Sequence, residues 1–333
     1  MKAIVAVQSK PVTAEDFLQE VEVAKPIPTA HEILVEVKAV AFNPVDYKRR
    51  QNEEFLSTGP KILGWDAAGI VRAVGSSVQN FSCGDEVFYA GELLKSGCNA
   101  EFQTVDARLV GKKPKKLSFA EAASLPLTSI TAWEALFHKL KIAPLDDQRS
   151  ILVLGGAGGV GSIAIQLLRQ LTRSTVITTY SRPETSAWCS RMGAHILIDR
   201  ARDLKSALQE QSINGLDYCF ATAGSKQYAP QLLEALHPFS ELCIIDDPEN
   251  LDLFPYKMKS ISIHWELMFT RSLYNYQPEK QGQILNQISA LVDEGRITHT
   301  AHTILKGFTA KNFMDAHVLQ ESGTSIGKIV AEY

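Results

Sequence analysis

The sequence predicts an α/β protein of two textures: a β-rich unit with partial-barrel character, followed by a doubly wound parallel sheet. Three observations carry this. From Ile151 onward, short apolar runs alternate with helical patterns, the signature of successive βα units. The first of those runs, Ile151–Leu154, leads directly into glycines at 155, 156, 158, 159 and 161. Before Ser118, in contrast, strand patterns bounded by glycine turns predominate, and no helical pattern exceeds a few turns.

In chain order, Lys2–Gln8 reads as a strand, and Glu32–Ala39 alternates Ile33, Val35, Val37 and Ala39 against polar neighbours. Asn43-Pro44-Val45-Asp46 turns the chain, and Trp65–Gly75 and Gly84–Phe88 are small-residue and valine-rich strands. Ser118 is placed to cap a short helix, with Glu121 as its capping-box partner. Pro126 interrupts, and Thr131–Leu140 resumes as a helix. Strands are then expected at Ile151–Leu154, Thr175–Tyr180, His195–Asp199, Asp217–Phe220 and Glu241–Asp246. Helices are expected between them at Ser162–Leu171, Glu184–Met192, Asp203–Gln211 and Gln227–His237. A helix over Glu279–Glu294 stopped by Gly295, a shorter one over Ala310–Gln320 and a strand at Gly327–Ala331 are expected to return to the β-rich unit.

Composition narrows the class. A length of 333 residues suggests two domains, and a net charge of −3 gives no reason to expect a nucleic-acid partner. No apolar stretch reaches the ~18 residues a membrane helix needs, and the N-terminal run is too short for a signal-peptide core, so the cytoplasm is expected. Cys83, Cys98, Cys189, Cys219 and Cys243 form no CxxC pair, which favours scattered buried thiols over disulfides or a zinc knot. The cluster Lys112-Lys113-Pro114-Lys115-Lys116 reads as a solvated turn.

The glycine run carries the chemistry. Gly156-x-Gly158-x-x-Gly161 fits the dinucleotide fingerprint: a tight turn, a close backbone approach to pyrophosphate, and helix-on-strand packing. Gly156, Ala157, Gly158, Gly159, Val160 and Gly161 are therefore candidate cofactor residues, and the following helix aims its N-terminal amides at the turn. No Lys-Ser/Thr pair follows the last glycine, so this is not a Walker phosphate loop. The second strand ends Thr178-Thr179-Tyr180-Ser181-Arg182, without the acid that would bind an NAD ribose. Ser181 can donate to a 2′-phosphate and Arg182 can pair with it, so NADPH is the expected cofactor.

Together these pieces resemble the medium-chain dehydrogenase/reductase superfamily over essentially the whole chain. The matching stretches are Asn43-Pro44-Val45-Asp46, Gly64-Trp65-Asp66-Ala67-Ala68-Gly69, Gly84-Asp85-Glu86-Val87, Leu125–Trp133 and the glycine fingerprint. Ser262–Arg271 and Ala316–Val330 resemble the "zinc-type alcohol dehydrogenase-like" group of its quinone-oxidoreductase branch. The resemblance implies a GroES-like catalytic domain at 1–124, a Rossmann dinucleotide domain at 125–266, a C-terminal return at 267–333, and a homodimer. Zinc-dependent relatives carry a catalytic Cys where this chain has Asn43, and a His-Glu pair where it has Trp65-Asp66. Asn and Trp are not zinc ligands, and the four-cysteine lobe is missing, so no metal is expected.

Zinc in such enzymes polarises a carbonyl and stabilises alkoxide charge. Without it, the expected acceptors are those that delocalise charge themselves, quinones or conjugated enones. By resemblance, Asn43 and Lys48 are candidate catalytic residues; Asn43 hydrogen-bonds either the substrate oxygen or a cofactor ribose. Asp46 is expected to fix the turn, while Tyr47 and Lys48 are the nearby proton donors. Thr131 matches a family position that touches the cofactor; Lys328 lies in the family's closing motif and either approaches the cofactor or is a surface lysine; Thr222, Gly224 and Asp246 follow strands whose ends face ligands in this fold. His264 is either a further candidate proton donor or a satisfied core histidine of an apolar strand, and Arg271 either binds an anionic substrate or pairs with an acid. An enoyl-thioester reductase would call for a basic entrance that the sequence does not offer. A cofactor-binding sensor or structural protein without turnover is the reading of a different class.

Overall fold

The structure, a computed structural model, describes residues 1–143 and 149–333. The chain divides into two compact units: Met1–Ile130 with Phe269–Tyr333, and Thr131–Met268.

The second unit is a six-stranded parallel sheet. Its strands are β1 (Ser150–Leu154), β2 (Thr175–Tyr180), β3 (Ile196–Asp199), β4 (Leu216–Ala221), β5 (Leu236–Ile244) and β6 (Ser262–Trp265). They lie in the order β3-β2-β1-β4-β5-β6, all parallel, with the order reversing at β1. All five residues of β1 are buried, as expected for a central parallel strand covered on both faces. Helices α1 (Gly159–Leu171), α2 (Pro183–Met192), α3 (Leu204–Glu210) and α4 (Ser225–Ala235) supply the crossovers. One core cluster gathers Leu152, Ile177, Leu208, Leu232, Leu242 and Ile244. Each such side chain contributes roughly 1.5–3 kcal/mol on burial.

The periodicity located these elements, and the structure adjusts their edges. α1 begins at Gly159, three residues before the first polar residue of its pattern, because the glycine turn itself forms its first turn. It is buried all round from Gly161 to Leu168, polar residues included; Trp188 Nε1 donates to Ser162 Oγ at 2.8 Å and satisfies it. α4 ends at Ala235, and His237 belongs to β5, which starts directly at Leu236.

The first unit carries a seven-stranded mixed sheet. Its path runs Ala301–Lys306, Lys328–Glu332, Glu32–Ala41, Ala67–Val74, Glu86–Tyr89 and Gly111–Lys112, with Phe102–Asp106 also paired to Glu32–Ala41. A three-stranded sheet joins Gln19–Glu22, Lys2–Ala6 and Lys61–Ile62. The C-terminal strand pairs antiparallel with the long one, Val330 opposite Ala41 and Ala331 opposite Val40. On its other edge the long strand sets Val40 opposite Ala67. Continuing both registers brings Lys328, Asn43 and Asp66 to one end of the sheet. Phe42 N donates to Ile329 O at 3.0 Å and Ala41 N donates to Asp66 O at 3.0 Å, extending the ladders to that point.

Three local expectations change. Asn43-Pro44-Val45-Asp46 is not a bare turn but the N-cap and first residues of a helix, Pro44–Arg50, because proline at N1 needs no hydrogen-bond partner. Pro126 does not interrupt for long; for the same reason it opens the helix Pro126–Trp133, five residues ahead of the expected restart at Thr131. Lys113 is buried rather than solvated: its Nζ donates to Pro114 O at 2.9 Å and pairs with Glu86 at 3.2 Å. The Ser118 capping box with Glu121 forms as read.

Candidate functional site

In the second unit the site is built on the turn between β1 and α1. Gly155 takes φ +77°, a left-handed backbone that favours glycine. A Cβ on Gly156 would lie 2.0 Å from Thr178 Oγ1, and one on Gly161 would lie 2.4 Å from Gly155 O. These two glycines hold strand, turn and helix in contact. Gly158 differs: a Cβ there would meet only Gly155 O at 3.4 Å. Gly158 is the N-cap of α1 and offers no side-chain bond to the helix end. The first amides of a helix have no partner within it, so those following Gly158 are presented at the turn, with Ala157, Gly159 and Val160 in its rim. The arrangement fits a pyrophosphate at a helix N-terminus.

The surrounding residues complete this end of the sheet. Thr222 Oγ1 donates to Leu154 O at 2.6 Å and packs over Gly155. Gly224 takes φ +70° and leads into α4, whose first amide, Ser225 N, donates to Asp246 Oδ2 at 2.9 Å. Asp246 therefore caps a helix from two residues beyond the end of β5. Ser181 and Arg182 are exposed at the end of β2, and Arg182 N donates to Thr185 Oγ1 at 3.0 Å as the N-cap of α2. Thr131 is buried within Pro126–Trp133. His264, on the edge strand β6, is half-buried and lies 2.9 Å from Glu241 Oε2 on β5, so it is not an apolar-core histidine. Neighbouring Glu266 is buried, with Lys139 Nζ 3.9 Å away.

In the first unit, Asn43, Asp66 and Lys328 form a buried polar triangle. Lys328 Nζ donates to Asp66 Oδ2 at 3.0 Å, to Phe42 O at 2.7 Å and to Asn43 Oδ1. Asn43 Nδ2 donates to Asp66 Oδ2 at 2.8 Å. Asp66 Oδ1 accepts from Leu127 N at 2.7 Å, capping the helix that begins at Pro126. The three residues are at most 3% exposed, so Lys328 is not a surface lysine. All three ammonium hydrogens are engaged within the unit. Lys48 is exposed and Tyr47 half-buried on the helix Pro44–Arg50.

Asp46 sits against this triangle. Its Oδ2 accepts from Asn43 N at 2.8 Å, closing the helix cap, while Oδ1 is buried without a hydrogen-bond partner. Burial raises Asp46 to about 7, against the pull of the Asn43 amide and the Lys328 ammonium. Burial also pushes Asp66 upward, with Lys328 opposing it. Trp65, beside Asp66, is fully buried; its Nε1 donates to Glu92 O at 3.1 Å and its ring meets Phe269 edge-on. Among the described residues, no group of three His, Cys, Asp or Glu side chains is placed to hold a metal ion, and no helix is long and apolar enough to cross a membrane.

The sequence alone assigns no role to Asp66 and leaves Lys328 between a cofactor contact and a surface lysine. The signal was present: each is a lone charge in an apolar run, Trp65-Asp66-Ala67-Ala68 and Gly327-Lys328-Ile329-Val330. Two opposite charges in such settings call for each other.

Comparison with known proteins agrees with this architecture. Residues 29–128 match the family "Alcohol dehydrogenase GroES-like domain" and residues 159–284 match "Zinc-binding dehydrogenase". A zinc-type alcohol dehydrogenase-like protein of Staphylococcus aureus is 40% identical over 315 residues, covering 93% of each chain. A solved structure from Rhizobium etli, described as a candidate zinc-dependent alcohol dehydrogenase, is 47% identical with TM-score 0.96, covering 100% of this chain and 98% of that one. The quinone oxidoreductase of Coxiella burnetii is 28% identical with TM-score 0.82, covering 100% and 99%.

Proposed function

The chain belongs to the medium-chain dehydrogenase/reductase superfamily of oxidoreductases, and from that premise we propose that it is a zinc-independent, NADPH-dependent reductase of quinones or conjugated enones. One observation carries the proposal. At the positions where zinc-dependent relatives hold their ligands, this chain has Asn43 and Asp66 bound to the Lys328 ammonium, and Trp65 bonded to Glu92 O. That donor set is an amide, a carboxylate already paired with a cation, and an indole; it does not suit zinc. Acceptors that spread incoming charge over a conjugated system need less polarisation, and the Coxiella quinone oxidoreductase is a whole-chain likeness of this kind.

The nicotinamide dinucleotide, when bound, supplies the hydride. Gly156, Gly158 and Gly161 would hold its pyrophosphate against the first amides of α1, with Ala157, Gly159 and Val160 in the rim. Ser181 and Arg182 would take the 2′-phosphate; the absence of a carboxylate at the end of β2 supports the phosphorylated cofactor. Thr131, Thr222 and Asp246 would shape the nicotinamide end. Asn43, Lys48 and His264 remain the proposed residues of the reacting region, with Lys48 or His264 as the proton source for the reduced product.

A homodimer is proposed on the edge of the second sheet. Among the described residues β6 pairs only with β5, and Trp265 and Leu267 are each more than half exposed beside that edge. A cytoplasmic location is proposed on five free thiols, which suit a reducing compartment.

The test is NADPH and NADH oxidation followed by absorbance, with a panel of quinones and enones and a chelator present. The expected result is chelator-resistant turnover that favours NADPH. Arg182→Ala should weaken NADPH at least about tenfold and leave NADH within about twofold, the loss of one charge-assisted pair. Tight cofactor binding without turnover on any acceptor would instead favour the sensor reading.

A further inference from the structure

A cavity of about 500 Å³ opens on the first unit, and every residue that lines it belongs to that unit. None of them belongs to the polar triangle. One wall is the helix Glu279–Asp293, which presents Glu279, Gly282, Gln283 and Asn286 at helical spacing. This wall is fixed to the segment beside it. A Cβ on Gly282 would lie 2.6 Å from Arg108 O and 2.8 Å from Val110 O, so only glycine lets the helix come this close. Lys112 N then donates to Asn286 Oδ1 at 2.9 Å. The cavity is thus pre-formed, and its volume falls within the roughly 300–1,000 Å³ of small-molecule sites.

The bonds already made decide what the lining can still offer. Asn286 has its oxygen engaged by Lys112 N, and Gln283 Oε1 accepts from Lys280 Nζ at 3.2 Å, so each carboxamide is left with its NH2. Arg108 commits Nε and Nη2 to Asp106, at 3.1 and 2.7 Å, and keeps Nη1. Of the lysines at 112, 113, 115 and 116, only Lys112 lines the cavity, and among the described residues its Nζ has no partner. Donors and cations therefore outnumber acceptors. Glu279 is the single carboxylate of the lining. We propose that this cavity binds a small phosphate ester bearing hydroxyl groups. Lys112 and Arg108 hold the phosphate, the Asn286 and Gln283 NH2 groups add neutral donors, and Glu279 accepts a ligand hydroxyl. A purely apolar ligand would leave these groups unpaired. A bare anion would make no use of Glu279, which repels it.

The experiment is calorimetric titration of the full chain with ribose 5-phosphate and with inorganic phosphate at low salt, each with and without saturating NADPH. The expected result is one saturable site that prefers ribose 5-phosphate at least about tenfold and has the same Kd whether or not NADPH is present. Lys112→Met, at an exposed side chain, should keep the parental melting temperature and weaken ribose 5-phosphate at least about tenfold. Glu279→Leu should bring the two ligands to within about threefold of each other, because the hydroxyl loses its acceptor and the phosphate loses a repulsion. Absence of saturable binding in the parent overturns the proposal, as does a parental Kd in Lys112→Met. Displacement by NADPH also overturns it, since the ester would then occupy the glycine turn. Equal parental affinity for inorganic phosphate overturns the assignment of an ester.

Discussion

The glycine turn of the second unit and the polar triangle of the first differ in how far their parts are spread along the chain. The turn is continuous: Gly155 to Gly161 supply its bend, its close contacts and its ligand face. The triangle joins residues 43, 66 and 328, which meet through strand register alone. The turn fails position by position, because a side chain at Gly156 or Gly161 collides with its own set of close neighbours while one at Gly158 does not. The triangle fails as a unit, because removing one member strands a buried charge or a carboxamide. A site can thus be rigid by local sterics or by long-range charge pairing, and the two should break differently.

The largest effect is expected in the triangle. Asp66→Ala leaves the Lys328 ammonium buried with neutral acceptors only, and should cost about 3–5 kcal/mol in urea unfolding. A loss under about 1 kcal/mol would mean that the pair is solvated and the contrast with the turn is false.

Next come two glycines of the same turn. Gly161→Ala forces a methyl to within 2.4 Å of Gly155 O, a backbone atom with little room to yield. About 1–3 kcal/mol of stability and most of the NADPH affinity should go with it. Gly158→Ala meets nothing closer than 3.4 Å, so its melting temperature should match the parent while NADPH binding weakens. Equal melting temperatures for both variants would remove the steric account.

Two buried titratable groups should then bend the pH profile in opposite directions. Asp46 is held at about 7 against an ordinary 3.8, so the folded state keeps a proton that the unfolded chain has lost. Its contribution is complete below about pH 4 and fades as pH rises through 7. His317 is pulled down to about 3 from 6.5 by burial, with Arg50 nearby and both ring nitrogens without hydrogen-bond partners. The unfolded chain takes the proton first, so this contribution is complete above about pH 6.5 and is lost as pH falls toward 3. Each slope is at most about 1.4 kcal/mol per pH unit. Urea midpoints from pH 4 to 8 separate them: Asp46→Asn should remove the alkaline decline, and His317→Leu the acid one. Parallel curves for parent and variant would show that the group does not titrate as stated.

The smallest effect is the local control. Ser118→Ala removes an N-cap whose oxygen accepts from Glu121 N at 3.2 Å, and should cost about 1 kcal/mol in thermal unfolding without touching cofactor affinity.

Legibility followed the same divide. Strand, turn and helix around Gly156 are readable because the order of apolar run, glycines and helical pattern is continuous along the chain, even though Gly155 and Gly156 press against Thr222 and Thr178 of other strands. The helix starts at Pro44 and Pro126 were misread as a turn and a break, since proline's cost or benefit depends on whether it falls at N1, a choice made by the preceding cap. A run of lysines carries no mark of which one finds Glu86 and two carbonyls, so the sequence alone reads Lys113 as solvated. His264 reads from the sequence as a proton donor or a core histidine, because its partner Glu241 lies 23 positions away on the adjacent strand.

The sequence by itself determined the order of βα units, the glycine turn and the missing acid at the end of β2, because periodicity, sterics and local charge act between near neighbours. Only the tertiary structure decided that Asn43, Asp66 and Lys328 would meet. That meeting depends on antiparallel register between strands nearly three hundred residues apart, and register is set by the packing of the whole sheet, not by any residue within it.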